Sequence, residues 1–420
     1  MNDVYINNVI GGLSMNKYTE VAIAYFAYAC GKLYNMRFNF QHREYTGSIL
    51  VLRAEAIGDM VVTTPFLREL RKNYPDRHIT LVCSPAVYNL VECCPYVDEI
   101  LEYQKQFSRH KYIINLKNAF CFSRKYLQKR NYEMALVPAY DSPDAYAEAW
   151  LGFFAGIRKR IGYSEKVDEH KHDYYNGAID IFFTDLLQTN KLLHCVEASL
   201  GLLRYLQHSV EDESLEVWTN ADDEEFVAEL FRLMKIDDRK IKIAVNLSTS
   251  NHTKDWPVEN YIAVCQNLEK LYPIEIFLIG AGNDAEKYRD VFCKAGIHVC
   301  DFVGKTTVRQ AIEVLRRSDM YLGGDTGPMH LAAACNLSGV AIYKTAKNVN
   351  KNLHDPARTF SPWQSDIRVL QPDKALPGCE NGCTLGEAHC IKQITVKQVV
   401  DAMENQMKVH EWFHKNVSVI

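Results

Sequence analysis

No apolar run in this chain is long enough to cross a bilayer, which takes about eighteen to twenty residues. The most apolar stretch near the start, Val21 to Cys30, stops far short of that. A secretory signal is also missing: Asp3 and Glu20 stand where a basic region belongs, and Tyr28 interrupts the small residues of a cleavage site. The expectation is a cytoplasmic protein, with the inner-membrane surface as the alternative location. Excess positive charge is absent too. With 48 Lys and Arg against 52 Asp and Glu, the formal charge is -4 and the isoelectric point is near 6.4. That balance speaks against a nucleic-acid partner held by phosphate neutralisation, while a local site for a small anion stays open. The 13 cysteines are odd in number and scattered through 420 residues, so a disulfide framework is not expected and a reducing compartment is. There is no short-period repeat and no low-complexity tract.

What is present is globular: 47% hydrophobic and 24% charged residues, over a length that suits two domains. Ser48 to Arg53 reads as a buried strand, Asp59 to Asn73 as a helix ended by Tyr74-Pro75, and His78 to Cys83 as a second strand. Strand, helix and strand make a right-handed βαβ unit with a parallel sheet. A leucine-rich helix is expected over Gln188 to Gln207, then an acidic connector through Glu211, Asp212 and Glu213, with the domain boundary near residue 215. A second series follows: strand Lys242 to Leu247, helix Val258 to Leu271, strand Glu275 to Gly280, helix Val308 to Arg317, strand Met320 to Gly323 and strand Val340 to Tyr343. The expected fold is α/β, two doubly wound Rossmann-like domains facing across a cleft where strand carboxyl ends meet a ligand. The boundaries are a helical extension over 1–46, a first domain over 47–215, a second over 216–400 and a helical tail over 401–420. For the extension, a helix packed on the body competes with an interfacial anchor flanked by Lys17, Lys32 and Arg37.

Three loops carry candidate chemistry. Gly323-Gly324-Asp325-Thr326-Gly327-Pro328-Met329-His330 joins a strand to a helix. Glycines allow close approach of backbone to ligand and Pro328 suits a first helical turn, so the free amides can face a pyrophosphate. A plain turn with Asp325 as N-cap fits the same residues. Ser248-Thr249-Ser250 and Lys254 follow the second domain's first strand, combining hydroxyl donors with one cation as a phosphate requires. Alone, Lys254 reads as a solvated lysine; its place at the strand carboxyl end of the glycine turn's domain favours an anion. In the first domain, Asp59 opens the helix after Arg53 to Gly58, where it can serve as a general base or simply cap the helix.

Ala56-Ile57-Gly58-Asp59 with Thr63-Thr64-Pro65, the Lys254-Asp255-Trp256-Pro257 segment, and Gly324 through Ala334 together resemble the bacterial heptosyltransferase family. The likeness runs from about Ser48 to the region of Val400 and is weakest over about Asn115 to Thr184. It implies a GT-B type fold and inverting transfer of a heptose or related sugar from an ADP-activated donor. The implied acceptor is a hydroxyl of a lipopolysaccharide core, another surface glycan or a lipid-linked saccharide. It also implies no obligatory metal and no cofactor. By position, Asp59 would be the catalytic base and Lys254 would stabilise the departing diphosphate. Thr249, Ser250, Lys254, Gly324, Asp325, Thr326, Gly327, Met329 and His330 would bind the donor. A protein acceptor on a surface adhesin, or an inactive nucleotide-sugar-binding subunit, are the alternatives; retention of Asp59 speaks against the second. A dehydrogenase is set aside, because neither domain carries G-x-G-x-x-G after its first strand. Glu55 departs from the small or polar residue expected in its loop, and the extension to His42 exceeds that of simple members. Cys379, Cys383 and Cys390, with His389, lack the paired spacing of a zinc knuckle and are read as free thiols.

Overall fold

The structure, a computed structural model, describes residues 17–39, 47–106, 112–140, 146–167, 170–171, 178–247, 249, 251–280, 283–349, 356–380 and 386–409. Two compact units divide the chain at Glu213 and Ser214, with Asn89–Cys93 counted to the second.

The first unit is built on β1 (Ile49–Arg53), β2 (Ile79–Cys83), β3 (Glu99–Glu102), β4 (Met134–Leu136), β5 (Lys159–Val167), β6 (His170–Lys171) and β7 (Asp185–Thr189). Their order is β3-β2-β1-β4-β5-β6, with β7 also on β5, and only the short β6 runs antiparallel. Every residue of β1 and β2 is buried, because helices cover both faces of a parallel sheet and leave no strand position for polar alternation. The order reverses between β1 and β4, the point where a doubly wound sheet opens a crevice at its strand carboxyl ends.

The second unit repeats the plan with β8 (Ile241–Asn246), β9 (Ile274–Ile279), β10 (Val299–Asp301), β11 (Met320–Gly324), β12 (Ser338–Ile342) and β13 (Ile367–Leu370). The order is β10-β9-β8-β11-β12-β13, parallel throughout, and it reverses between β8 and β11. Gly339 in β12 has φ +153°, and a Cβ there would meet the Tyr321 carbonyl oxygen of β11 at 2.0 Å. Gly339→Ala should therefore cost about 1–3 kcal/mol through backbone strain, read as a lower urea midpoint at unchanged slope.

Three expectations need correction. The helix foreseen over Asp59 to Asn73 is two helices, Ile57–Val61 and Thr64–Asn73. Pro65 lies in the first turn of the second, where a missing N–H is tolerated, but it cannot continue a helix from the preceding residues. The helix foreseen from Gln188 starts only at Cys195, because Gln188 and Thr189 close β7. His194 is its N-cap: Nδ1 accepts the Val196 N–H at 3.2 Å, and Glu197 accepts the His194 N–H at 3.0 Å. The boundary set at residue 401 falls inside a helix. Helix Val396–Val409 spans that boundary, and its Val399, Ala402, Met403 and Met407 belong to the second unit's core.

The extension contributes helix Lys17–Asn39 to the first unit. Ala24 and Ala27 are buried in a core with Trp150, Phe153, Phe154 and Phe182, while the opposite side is exposed.

Candidate active site

In the second unit the two phosphate-binding candidates come together at the reversal point between β8 and β11. The loop after β8 is organised by its own polar side chains. Thr249 N–H donates to Asp255 Oδ1 at 3.1 Å, Thr249 Oγ1 lies 2.8 Å from the same oxygen, and Asn251 accepts the Thr253 N–H at 3.0 Å. The Thr249 hydroxyl thus shapes the turn, and Ser250 lies outside the described residues. A short 3-10 turn, His252–Lys254, then brings Lys254 Nζ to 2.6 Å from Asp325 Oδ2. The lysine side chain keeps 27% of its surface exposed and the aspartate 8%. The two loops pack closely here, since a Cβ on Gly324 would touch Thr249 Cγ2 at 3.4 Å.

Asp325 is not the N-cap of the following helix, Gly327–Ala334. Thr326 holds that position, without a side-chain capping bond, and its hydroxyl lies 3.2 Å from Asn246 Oδ1 at the end of β8. The charge pairing with Lys254 draws Asp325 away from the helix amides. Thr326, Gly327 and Pro328 are half-exposed at the helix start, where the dipole favours negative charge. Met329 and His330, expected among the donor contacts, have fully buried side chains, and the His330 ring packs edge-on against Phe360 at 4.2 Å. Helical geometry turns them inward, so they support the turn from behind.

Two residues escaped the sequence reading. Asn246 ties the turn to β9, donating to the Ile279 carbonyl at 3.2 Å. Lys344, two residues beyond β12, donates to Thr253 Oγ1 at 2.7 Å and adds a second cation beside the Lys254 turn. Its signal was available, a lysine at a strand carboxyl end next to the glycine turn's strand.

In the first unit, Asp59 sits at the reversal point between β1 and β4. Its Oδ2 accepts the Ala56 N–H at 3.2 Å, closing the helix N-terminus, and its Oδ1 lies 3.3 Å from Arg53 Nη2. Capping does not exhaust the group, because 27% of the side chain is exposed. Arg53 is buried, pairs with Glu55, and donates from Nε to Thr63 Oγ1 at 3.1 Å. Thr63 in turn donates to the Asp59 carbonyl at 2.7 Å. A second buried pair, Lys105 with Glu148 at 3.2 Å, stands behind the loop, and Glu148 accepts the Ala54 N–H at 3.1 Å. Burial, reinforced by the negative charge of Glu55 and opposed by Arg53, pushes the Asp59 carboxyl up to about 6. A carboxylate so placed is ionised near neutrality yet basic enough to take a proton from a hydroxyl.

Cys379, His389 and Cys390 lie apart from both loops in sequence, and their ligand atoms fall within 4.8 Å of one another. Cys379 Sγ is 2.7 Å from His389 Nε2, and His389 Nδ1 is 3.1 Å from the Glu387 carbonyl. Two sulfurs and an imidazole are a donor set that can take a thiophilic cation. Cys383 lies outside the described residues.

A sequence model of glycosyltransferase family 9, the heptosyltransferases, matches residues 123–388. Lipooligosaccharide heptosyltransferase 2 of Campylobacter jejuni is 26% identical over 161 residues, 37% of this chain and 47% of that protein. The match thus spans about half the length of that relative. Lipopolysaccharide core heptosyltransferase OpsX of Haemophilus influenzae is 20% identical over 77% of this chain and 84% of that protein. Among solved structures, a family 9 glycosyl transferase of Veillonella parvula superposes with a TM-score of 0.69 at 19% identity, covering 88% of this chain and 100% of that one. The ADP-heptose lipopolysaccharide heptosyltransferase II of E. coli gives 0.61 at 17%, covering 87% and 99%. These superpositions place the chain in the same two-Rossmann, GT-B type fold.

Proposed function

The chain belongs to glycosyltransferase family 9, and from that premise we propose that it transfers a heptose from an ADP-activated donor to a hydroxyl of a lipopolysaccharide core or related surface glycan. The observation that carries the reading is the Lys254 ammonium beside the Thr326–Gly327 helix start, at the carboxyl ends of β8 and β11. An anion bound there meets a cation and the positive end of a helix, the two features that a departing nucleoside diphosphate requires.

In this reaction the acceptor oxygen forms a bond to the anomeric carbon while the bond from that carbon to the donor's phosphate oxygen breaks. The electron pair leaves with the diphosphate, whose new charge falls to Lys254 and the first-turn amides. The hydroxyl proton goes to Asp59, and the opposed entry and departure invert the anomeric configuration. Lys344, held near the same turn, adds field at the phosphates.

Purified protein offered ADP-heptose beside UDP- and GDP-sugars tests this reading. ADP release with transfer of the sugar is the expected result; no turnover and no binding of any nucleotide sugar would end it. The pH profile supplies an independent check. Asp59 acts only when ionised, so kcat/KM should rise with pH through about 6 and level off above it. Glu55→Gln removes a negative charge that holds the proton on Asp59, so the acid limb should move to lower pH. A limb that stays in place in the variant would show that another group titrates.

A further inference from the structure

Helix Lys17–Asn39 has two apolar sides and only one of them is covered. Glu20, Ala24 and Ala27 are buried, and at Gly31 a Cβ would come within 2.4 Å of the Phe153 ring. On the other side, Tyr18, Tyr25, Phe26, Leu33 and Met36 fall within one helical face and are exposed, Phe26 at 71% and Leu33 at 69%. A row of large apolar side chains this long is not the scattered exposure that any soluble protein shows. Glu20, the helix's single acid, faces inward, so the outer side carries Lys32 and Arg37 with no negative charge among the described residues.

A second segment extends this surface. Helix Tyr112–Phe122 and the turns after it abut the first helix through Tyr34, whose ring meets Phe120 edge-on at 5.5 Å and lies 5.2 Å under the Arg124 guanidinium. Ile113, Ile114 and Tyr126 are exposed there, interleaved with exposed Lys117, Arg124, Lys125 and Lys129. No acidic residue occurs from Tyr112 to Arg130. A chain with net charge -4 thus gathers cations and exposed apolar side chains on two adjoining helical segments of one unit.

We propose that this surface seats the protein on an anionic lipid bilayer, with Tyr25, Phe26, Leu33 and Met36 entering the interfacial layer and the flanking lysines and arginines meeting lipid phosphates. Charge selects this occupant over a second copy of the chain, because a symmetric pairing through the same face would set cations against cations. No described helix is long and apolar enough to cross a membrane, and an amphipathic helix lying in the interface needs no such length. The inference is independent of the donor and of Asp59, and stands or falls apart from them.

Flotation of the full-length protein with lipid vesicles tests it. The protein should float with phosphatidylcholine vesicles containing about 30 mol% phosphatidylglycerol, and much less with phosphatidylcholine alone. Raising salt from about 0.1 to 0.5 M should release much of it. The Phe26→Ser, Leu33→Ser double variant changes only exposed positions and should lose binding with its thermal transition unchanged. Lys117→Glu with Lys125→Glu should weaken partitioning at least about twenty-fold, taking roughly five-fold per cation near the surface. Absence of flotation with the anionic vesicles, or equal flotation of both variants, overturns the proposal. So does a concentration-dependent dimer that the serine variant abolishes while vesicles bind nothing, since the face would then cover another copy.

Discussion

Asp59→Ala is expected to lower transfer by about 10²–10⁴-fold while leaving nucleotide affinity within experimental error. The two effects separate because Asp59 belongs to the first unit, whereas the lysine and helix start assigned to the diphosphate belong to the second. Alanine also removes a helix cap, since Asp59 Oδ2 accepts the Ala56 N–H, at a cost of about 1 kcal/mol. Asp59→Asn resolves the ambiguity: its amide oxygen can still accept that N–H, but it cannot take a proton from an acceptor hydroxyl. Stability close to that of the unaltered protein, with transfer as low as in the alanine variant, is the expected pair of results. Calorimetry with ADP and a coupled assay of ADP release measure them. Transfer retained in Asp59→Asn would put the base elsewhere and leave Asp59 as a cap.

Lys254→Ala should lower kcat by about 10²–10³-fold and weaken ADP binding, because the departing diphosphate loses a preorganised cation. The substitution also strands Asp325, which keeps only 8% of its side-chain surface exposed. Breaking a fully buried pair costs about 3–5 kcal/mol, and the partial exposure of Lys254 brings the cost below that range. A fall in activity could therefore come from a disturbed turn, and the double variant Lys254→Ala, Asp325→Asn distinguishes the causes. It carries no unpaired charge, so stability should recover; transfer should not, because the cation remains missing. Recovery of both in a double-mutant cycle would mean that Lys254 serves only to hold Asp325.

The six strands expected from the sequence were legible because each is a short apolar run bounded by turn residues, and their observed ends differ by a residue or two from those expected. Helix limits were harder wherever tertiary pairing competed with local pattern. Gln188 and Thr189 lie in a leucine-rich stretch that reads as helix, yet β5 supplies a partner at Thr189 and the segment pairs as β7. The site loops were legible as strand-to-helix turns. Which of their residues reach a surface was not, because Met329 and His330 belong to the same motif as Thr326 and Gly327 but turn to the opposite side of the helix.

By itself the sequence determined two α/β units, the loops at their strand carboxyl ends, and the residue types available there, since hydrophobic period, glycine, proline and charge act over a few neighbours. Only the tertiary structure decided that Lys254 meets Asp325, 71 residues away, and that Glu148 closes on the Ala54 amide across 94. It also decided that helix Lys17–Asn39 buries one apolar side and exposes the other. Such pairings depend on strand order and on which faces are covered, and those are properties of the assembled sheet that no local stretch of residues encodes.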